Sequence, residues 1–151
     1  MDNKQKLLEY LKSRDLMILA TDGPTVSTLY YGIDDDFNFY IVTSPSSEHG
    51  KRFAKNPNVA CVIVDTNQKM FETKHKSGVQ VKGRIKQVSI DHLRKALNVW
   101  AHANKEMAEK FFKNISEGKW KDKVFTIAPS EIKWFNEELY GEQGTEIFKL
   151  E

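Results

Sequence analysis

The segment most able to carry out chemistry is a hydroxyl-rich loop followed by a short basic helix. Ser44, Ser46 and Ser47 come directly after the apolar residues 39–42 and before a predicted helix that carries Lys51. A helix N-terminus offers backbone N–H groups without intrahelical acceptors and a partial positive charge, and serine hydroxyls add further donors. This pattern predicts an anion pocket, although Ser47 acting only as a helix cap fits the spacing equally well.

Apolar runs separated by turn signals predict the elements that position this loop. Helices are expected at residues 3–13, directly after Ser47, and from Ser89 onwards in two segments. Strands are expected at 16–20, 25–33, 39–43, 58–65 and 78–88, with two closing strands at 123–128 and 131–135 separated by Pro129. We therefore predict a mainly β (α+β) fold, a six- to seven-stranded antiparallel β-barrel with flanking helices, and an open α+β sheet is the alternative.

Length and charge restrict the classes of function. The chain has 151 residues, which predicts a single domain over residues 1–151, and its 23 basic and 21 acidic residues nearly cancel. A chain with this balance has no long-range electrostatic field that would attract nucleic acid. The lysines and aromatic rings at 110–113 and 119–121 are therefore interpreted as an ordinary helix with a solvated face rather than as a site for single-stranded nucleic acid. We expect no membrane segment and no signal peptide, and a cytoplasmic location. From about residue 136 acidic residues dominate, which predicts a solvated tail or a strap over a partner subunit.

The titratable residues form no recognisable catalytic set. Cys61 lies in an apolar run and is predicted to be a structural thiol, and Asp34–Asp36 is predicted to form a tight turn rather than a cation site. We expect no metal site, since no Cys/His cluster has the required spacing. Histidine is the residue type that could serve as an axial ligand of haem, and four are available: His49, His75, His92 and His102.

The order of these elements resembles the flavin-binding split barrel of the pyridoxamine phosphate oxidase-like superfamily. The resemblance covers roughly residues 5–88 and is carried by Leu19-Ala20-Thr21, Phe39-Tyr40-Ile41-Val42-Thr43, Ser46-Ser47, Asn56-Pro57-Asn58-Val59 and Gly78-Val79-Gln80-Val81-Lys82-Gly83. It implies a split β-barrel that forms a homodimer with two cofactor sites at the subunit interface. The implied cofactor is flavin mononucleotide (FMN), with deazaflavin, haem or no cofactor as alternatives.

The resemblance also implies roles for individual residues. The residues beside the isoalloxazine ring would be Ser27, Thr28, Leu29 and Tyr30. The residues around the phosphate would be Thr43, Ser44, Ser47, His49 and Lys51. Gln80 would reach the ring from the other subunit, and Trp134 is a candidate for packing against the ring.

Departures from the family pattern affect the expected function. The oxidases carry Arg, Lys and an Arg-Lys pair where this chain has Ser27, Gly32 and Glu48-His49, so most of the cationic phosphate grip is absent. Lys51 and Arg52 could replace part of it. The Arg-rich C-terminal motif that holds the vitamin phosphate is also absent, so vitamin oxidation is not expected. The expected function is that of an FMN-dependent oxidoreductase with an unknown small-molecule substrate, and the alternative is a non-catalytic dimeric protein that binds or senses a ligand.

Overall fold

Seven strands and five helices make up the part of the chain that the structure describes. The structure is a computed structural model that describes residues 1–72, 76–102 and 104–151. The strands are β1 (Leu16–Thr21), β2 (Thr25–Ile33), β3 (Phe39–Val42), β4 (Asn58–Val64), β5 (Ser77–Gln87), β6 (Val124–Asn136) and β7 (Thr145–Lys149). The helices are α1 (Asn3–Lys12), α2 (Glu48–Lys55), α3 (Leu93–Trp100), α4 (Lys105–Ser116) and α5 (Glu137–Tyr140), and a 3-10 turn at Ile90–His92 precedes α3.

The first six strands close into an antiparallel barrel. The strand order is β3-β2-β1-β4-β5-β6-β7, and β3 also pairs with β6. That pairing runs from Phe39 opposite Ile127 to Val42 opposite Val124. The predicted mainly β barrel is therefore confirmed, and the open sheet is wrong. β7 adds a seventh strand at the outer side of β6. No described helix has the length and hydrophobicity needed to cross a membrane.

Alternation along the strands places the core inside the barrel. In β4 the side chains of Val59, Cys61 and Ile63 are buried and the residues between them are exposed, as expected for a strand with one face in the core. Met17 and Leu19 of β1 face the same interior. Burial raises the pKa of the Cys61 thiol to about 12. A thiol with so high a pKa stays protonated and is a poor nucleophile, in agreement with the structural role predicted for it.

β6 is one continuous strand, so the prediction of two closing strands separated by Pro129 is wrong. The pairing with β5 passes from Lys82 opposite Glu131 to Gly83 opposite Pro129, which leaves Ser130 as an extra residue on β6. The irregularity is a β-bulge, a position where a residue without an N–H group interrupts the ladder at little cost. The Ser130 hydroxyl donates to the carbonyl of Lys82 at 3.2 Å, which holds the bulge.

The acidic C-terminal segment is ordered, in contrast to the solvated tail that its charge predicted. Residues after Asn136 form α5 and then β7, which pairs with β6 from Phe135 opposite Thr145 to Glu131 opposite Lys149. Lys149 also forms an ion pair with Glu131. Main-chain pairing therefore orders a segment that net charge alone assigns to solvent.

Two other predicted features have mixed outcomes. The Asp34 carboxylate accepts the N–H groups of Asp36 and Asn38, so the predicted tight turn is confirmed. From Ser89 onwards, where a helix was expected, the chain first forms the 3-10 turn, and the Ser89 hydroxyl lies 2.7 Å from Nδ1 of His92 without capping the turn. His75, one of the histidines considered for haem, lies outside the described residues.

Candidate functional site

The first half of β2 has one free edge. β1 pairs with β2 along residues 25–30, whereas β3 pairs only with Tyr31–Ile33. Beyond Val42 the chain leaves β3 and turns towards α2, so within the described residues no strand pairs with residues 25–30 on the side away from β1. An unpaired strand edge presents main-chain N–H and C=O groups that need partners. A ligand lying along this edge could provide them.

Helix α2, which packs against β2, begins with a capped first turn. Ser47 is the N-cap of α2, and its hydroxyl accepts the N–H of Gly50 at 3.1 Å and donates to the carbonyl of Ser44 at 2.6 Å. Ser44 Oγ in turn lies 2.8 Å from Ser46 Oγ. The cap prediction for Ser47 is therefore confirmed. A single cap satisfies only some of the first N–H groups of a helix, which leaves others available to an anion.

Thr43 and His49 join the end of β3 to the first turn of α2. Thr43 is buried, and its Oγ1 lies 2.6 Å from Nε2 of the half-buried His49. Burial lowers the pKa of His49 below its ordinary value, because the ionised ring would lose solvation. The imidazole is thus kept neutral at neutral pH, and it supplies a hydrogen bond rather than a positive charge.

The charges of α2 are distributed unevenly. Glu48 is exposed in the first turn, where a carboxylate competes with an anionic ligand for the helix N-terminus. Lys51 and Arg52 are exposed one turn further on and take part in none of the ion pairs found among the described residues. The Arg52 side chain lies against Gly23 in the β1–β2 turn. Both cations thus have no ion-pair partner among the described residues, Lys51 one turn from the capped end of α2 and Arg52 against the β1–β2 turn.

The four residues predicted to lie beside a ring divide between the two faces of β2. Ser27 and Leu29 point towards the interior, since they pair with the buried Leu19 and Met17. Ser27 Oγ is inaccessible to solvent and has no hydrogen-bond partner among the described residues. Thr28 and Tyr30 are exposed on the outer face. The four side chains therefore do not share one face of β2. A ligand lying along the edge could contact all four residues only through their main-chain groups.

The remaining two predicted residues do not join this cluster within one chain. Gln80 is exposed on the side of β5 that points away from the barrel interior, and it pairs with Val62 of β4. The strands β1 and β4 therefore separate Gln80 from β2. Trp134 is 2% exposed, packs between Tyr10 and Tyr140, and donates its indole N–H to Ser77 Oγ at 3.0 Å. Trp134 is therefore a core residue in this chain, and any contact of Gln80 with the β2 edge requires a second chain.

Helix α3 contributes two contacts that sequence reasoning missed. A Cβ atom built on Gly32 would overlap the carbonyl oxygen of Val99, so no side chain fits there while α3 keeps its position. Trp100 donates its indole N–H to the Tyr30 carbonyl at 3.2 Å, at the end of the free β2 edge. No local signal in the sequence could have identified these contacts, because they depend on how α3 packs against β2.

An exposed apolar surface covers the outer face of β2, β1 and β4. We call it the outer face, and its members are Leu16, Ile18, Val26, Thr28, Tyr30, Ala60, Val62 and Val64. Val26 is 70% exposed and Tyr30 is 64% exposed. A contiguous apolar surface on a folded chain marks an interaction site more often than isolated exposed residues do. The outer face includes Thr28 and Tyr30, so it adjoins the free β2 edge.

The chain belongs to the Pyridoxamine 5'-phosphate oxidase family, whose pattern it matches over residues 4–135. This match covers most of the chain and includes the free β2 edge, the capped start of α2 and the closing strand of the barrel. The family resemblance stated from the sequence is thereby confirmed. A search of curated proteins finds no match.

Solved structures with the same fold carry different ligand descriptions. A haem-binding protein from Mycobacterium smegmatis superposes with a TM-score of 0.71 at 17% identity, covering 99% of this chain and 59% of that chain. This chain therefore spans about three fifths of that protein. An FAD-binding protein from Mesorhizobium loti has a TM-score of 0.63 at 20% identity, covering 88% and 92% of the two chains. General Stress Protein 26 from Bacillus anthracis has a TM-score of 0.62 at 18% identity, covering 99% and 100%. At these identities the likeness establishes the fold.

Proposed function

We propose that this chain is an FMN-binding protein that works as a homodimer and carries out redox chemistry on a small molecule. The observation that carries the proposal is the free edge of β2 together with the capped N-terminus of α2, a helix that packs against β2. A flat ring with hydrogen-bonding groups along its edge could pair with the free edge of β2. A phosphate could bind at the capped N-terminus of α2. Bound flavin would supply the hydride or electron transfer, so no protein acid or base is needed for that step.

The phosphate is assigned to the start of α2. Ser47 and the free N–H groups of the first turn would donate to it, with Ser44 and Thr43 nearby. Lys51 and Arg52 would supply positive charge in place of the cations that the oxidases carry at other positions. His49 would help by holding Thr43 in place through its neutral ring. This set is less cationic than that of the oxidases, so we expect weaker binding of FMN than in those enzymes.

The ring is assigned to the β2 edge, with the second subunit completing the site. Main-chain groups of Ser27, Thr28 and Leu29 would contact the ring, and Trp100 would lie at its far end beside Tyr30. The outer face would form the subunit interface, because burying its apolar side chains is favourable. In that arrangement Gln80 of one chain could reach the ring bound to its partner, a role it cannot have in its own chain.

The weak grip on phosphate that we expect here also supports a second candidate, a non-catalytic dimeric protein that binds or senses a ligand. Glu48 places a carboxylate in the first turn of α2, and Gly32, where the oxidases carry a lysine, has no room for a side chain. The two candidates differ in whether bound flavin exchanges electrons with NADH or NADPH. Bleaching of the flavin absorbance on adding either reductant supports the enzyme, and an oxidised spectrum that persists supports the passive binder.

The test of the proposed function is titration of the apo protein with FMN, followed by quenching of flavin fluorescence. We expect saturation at one flavin per chain and at least tenfold weaker binding in the Ser47→Ala, Lys51→Ala double variant, about 1.4 kcal/mol. The matched control is Lys105→Ala, an exposed lysine at the start of α4. Unchanged affinity in the double variant would contradict the phosphate assignment, and no binding by the native protein would overturn the proposal.

A further inference from the structure

A second concave surface lies away from the residues assigned to flavin. It is a groove of about 350 Å³ between helix α4 and the loop that follows it, and its lining includes Met107, Lys110, Phe111, Asn114 and Trp120. This volume lies near the lower end of the range of roughly 300–1,000 Å³ that is typical of small-molecule sites. The groove therefore suits one compact ligand, and none of the residues assigned to flavin lines it.

Aromatic rings form one side of the groove. The ring centroid of Phe111 lies 5.0 Å from that of Trp120 and 5.1 Å from that of Trp100, so Phe111 contacts two indole rings. Phe111 is half-buried and Trp120 is 36% exposed, so part of this aromatic surface faces solvent. Stacking of one base on an aromatic side chain strengthens binding by roughly fivefold to a hundredfold. A planar ring is therefore the kind of ligand that this side of the groove would bind.

The main chain of Trp120 adopts a conformation that large side chains rarely occupy. Its φ is 61°, in the left-handed region. The Lys119 N–H donates to the Asn114 carbonyl at 2.8 Å, and the Lys123 N–H donates to the Trp120 carbonyl at 2.9 Å, so hydrogen bonds hold the turn on both sides of Trp120. A bulky residue in this region costs stability, and such residues are concentrated at functional sites. The unfavourable turn places an indole ring in the groove, which supports a role for that ring in binding.

Asn114 supplies hydrogen-bonding groups that the chain itself does not use. Its side chain is half-buried, and its carboxamide has no hydrogen bond within the described part of the chain. A carboxamide presents an acceptor oxygen beside a donor NH₂ group, which matches the N6 amino group and N7 of adenine as a bidentate pair. Asn114 follows Phe111 by three residues on α4, so the amide and the ring lie on the same side of the helix. A planar ligand that stacks here could therefore also be bonded along its edge.

The charges of the groove favour a single nucleoside over a nucleic acid strand. The charged residues of its lining are Glu106 and Lys110, and their charges are opposite. Sites for single-stranded nucleic acid instead combine stacking rings with a positively charged groove that follows the phosphates. The small volume and the balanced charge are therefore those expected for one base with its sugar.

We propose that this groove binds a free adenine nucleoside. The base would stack on the exposed part of the Trp120 ring beside Phe111, and its N6 and N7 edge would pair with the Asn114 carboxamide. The groove uses none of the residues assigned to FMN, so this proposal and the proposed flavin site can fail separately.

The first experiment is isothermal titration calorimetry of the purified protein with adenosine and with inosine. Inosine carries a carbonyl oxygen in place of the 6-amino group, so it cannot form the same pair with Asn114. We expect saturable binding of one adenosine per chain, and binding of inosine that is roughly fivefold weaker or more. No saturable binding of adenosine would overturn the proposal, and equal binding of the two nucleosides would overturn the pairing with Asn114.

Two variants separate stacking from hydrogen bonding. Trp120→Asn removes the ring, and asparagine adopts the left-handed conformation more readily than tryptophan, so we expect a folded protein that binds adenosine roughly fivefold more weakly or worse. Asn114→Ala should weaken binding of adenosine and abolish the preference over inosine. The control is Phe71→Ala, which removes a ring that is 91% exposed in the β4–β5 loop and should leave adenosine binding unchanged. Native affinity for adenosine in Trp120→Asn would overturn the site, and FMN titration of each variant shows whether the flavin site is intact.

A short oligodeoxyadenylate is the probe that distinguishes a nucleoside site from a strand site. We expect it to bind no more tightly than adenosine, with an affinity that changes little between about 50 mM and 200 mM salt, because the lining offers no net positive charge to the phosphates. Tighter binding of the oligonucleotide that weakens steeply with salt would identify a site for single-stranded nucleic acid and overturn the proposal.

Discussion

Gly32 of β2 lies directly against the main chain of Val99 in α3, with no space for a side chain between them. Because the contacting atom is a backbone carbonyl, the helix itself must shift to admit a methyl group. We expect Gly32→Ala to lower the free energy of unfolding by about 1–3 kcal/mol, the usual cost of overpacking. Urea denaturation measures this change.

The control for this variant is Gly78→Ala in β5. A Cβ at Gly78 would meet only Cγ2 of Val64, at 4.0 Å, so the same substitution has room there. Its stability should remain close to that of the native protein. Equal stability of Gly32→Ala and Gly78→Ala would show that α3 does not press against β2 as described.

His49 gives the protein a dependence of stability on pH. Its pKa in the folded chain lies below the ordinary value of 6.5, so the unfolded chain binds more protons in this region of pH. Stability is therefore complete above about pH 6.5 and is lost as the pH falls through the lowered pKa. We expect the urea midpoint to fall between about pH 7.5 and pH 5, and to fall less in His49→Gln.

The control for the pH dependence is His92→Gln, which removes an exposed histidine. Its urea midpoint should fall with pH as steeply as that of the native protein. Identical pH profiles for His49→Gln and the native protein would contradict the assignment of the effect to His49.

Glu48 is expected to limit the affinity for FMN. It places a carboxylate in the first turn of α2, beside the N–H groups assigned to the phosphate. Glu48→Lys should tighten FMN binding by about fivefold, which corresponds to about 1 kcal/mol for a charge at a helix terminus. Fluorescence titration provides the measurement. Glu106→Lys, in the first turn of α4, is the matched control and should leave the affinity unchanged; weaker binding by Glu48→Lys would contradict the position of the phosphate.

The outer face is expected to hold two chains together. Val62 lies near its centre, in the row that joins Ile18 of β1 to Gln80 of β5. Val62→Glu would bury a charge without a partner in the interface, so we expect a shift from dimer to monomer in light scattering coupled to gel filtration. Ile90→Glu alters a residue that is 75% exposed on the 3-10 turn and should remain dimeric. A native protein that is already monomeric would refute the interface.

The sequence predicts those features that depend on local pattern. Alternation along Ser77–Gln87 predicts β5, and the spacing of Ser47 to Gly50 predicts the cap of α2, because both follow from nearest-neighbour geometry. The turn at Asp34 is predictable for the same reason, since its carboxylate bonds main-chain groups only a few residues away.

Features that depend on distant parts of the chain are not predictable in this way. From the sequence alone, Pro129 predicts a strand break. In the structure Pro129 lies opposite Gly83 at a β-bulge, and β6 continues through it. The charge of the residues in β7 predicts an acidic tail, and only the pairing with β6 shows that they form a strand. The approach of Val99 to Gly32 likewise arises only once α3 has packed against β2.

The pairing of β3 with β6 has a consequence for how the chain folds during synthesis. It joins Phe39 to Ile127, so the barrel cannot close until β6 has left the ribosome. Until then one side of β3 remains an unpaired edge, which is the kind of surface that promotes aggregation. Contacts between residues so far apart in the chain also slow folding. A nascent chain that lacks β6 therefore leaves this edge of β3 without its native partner.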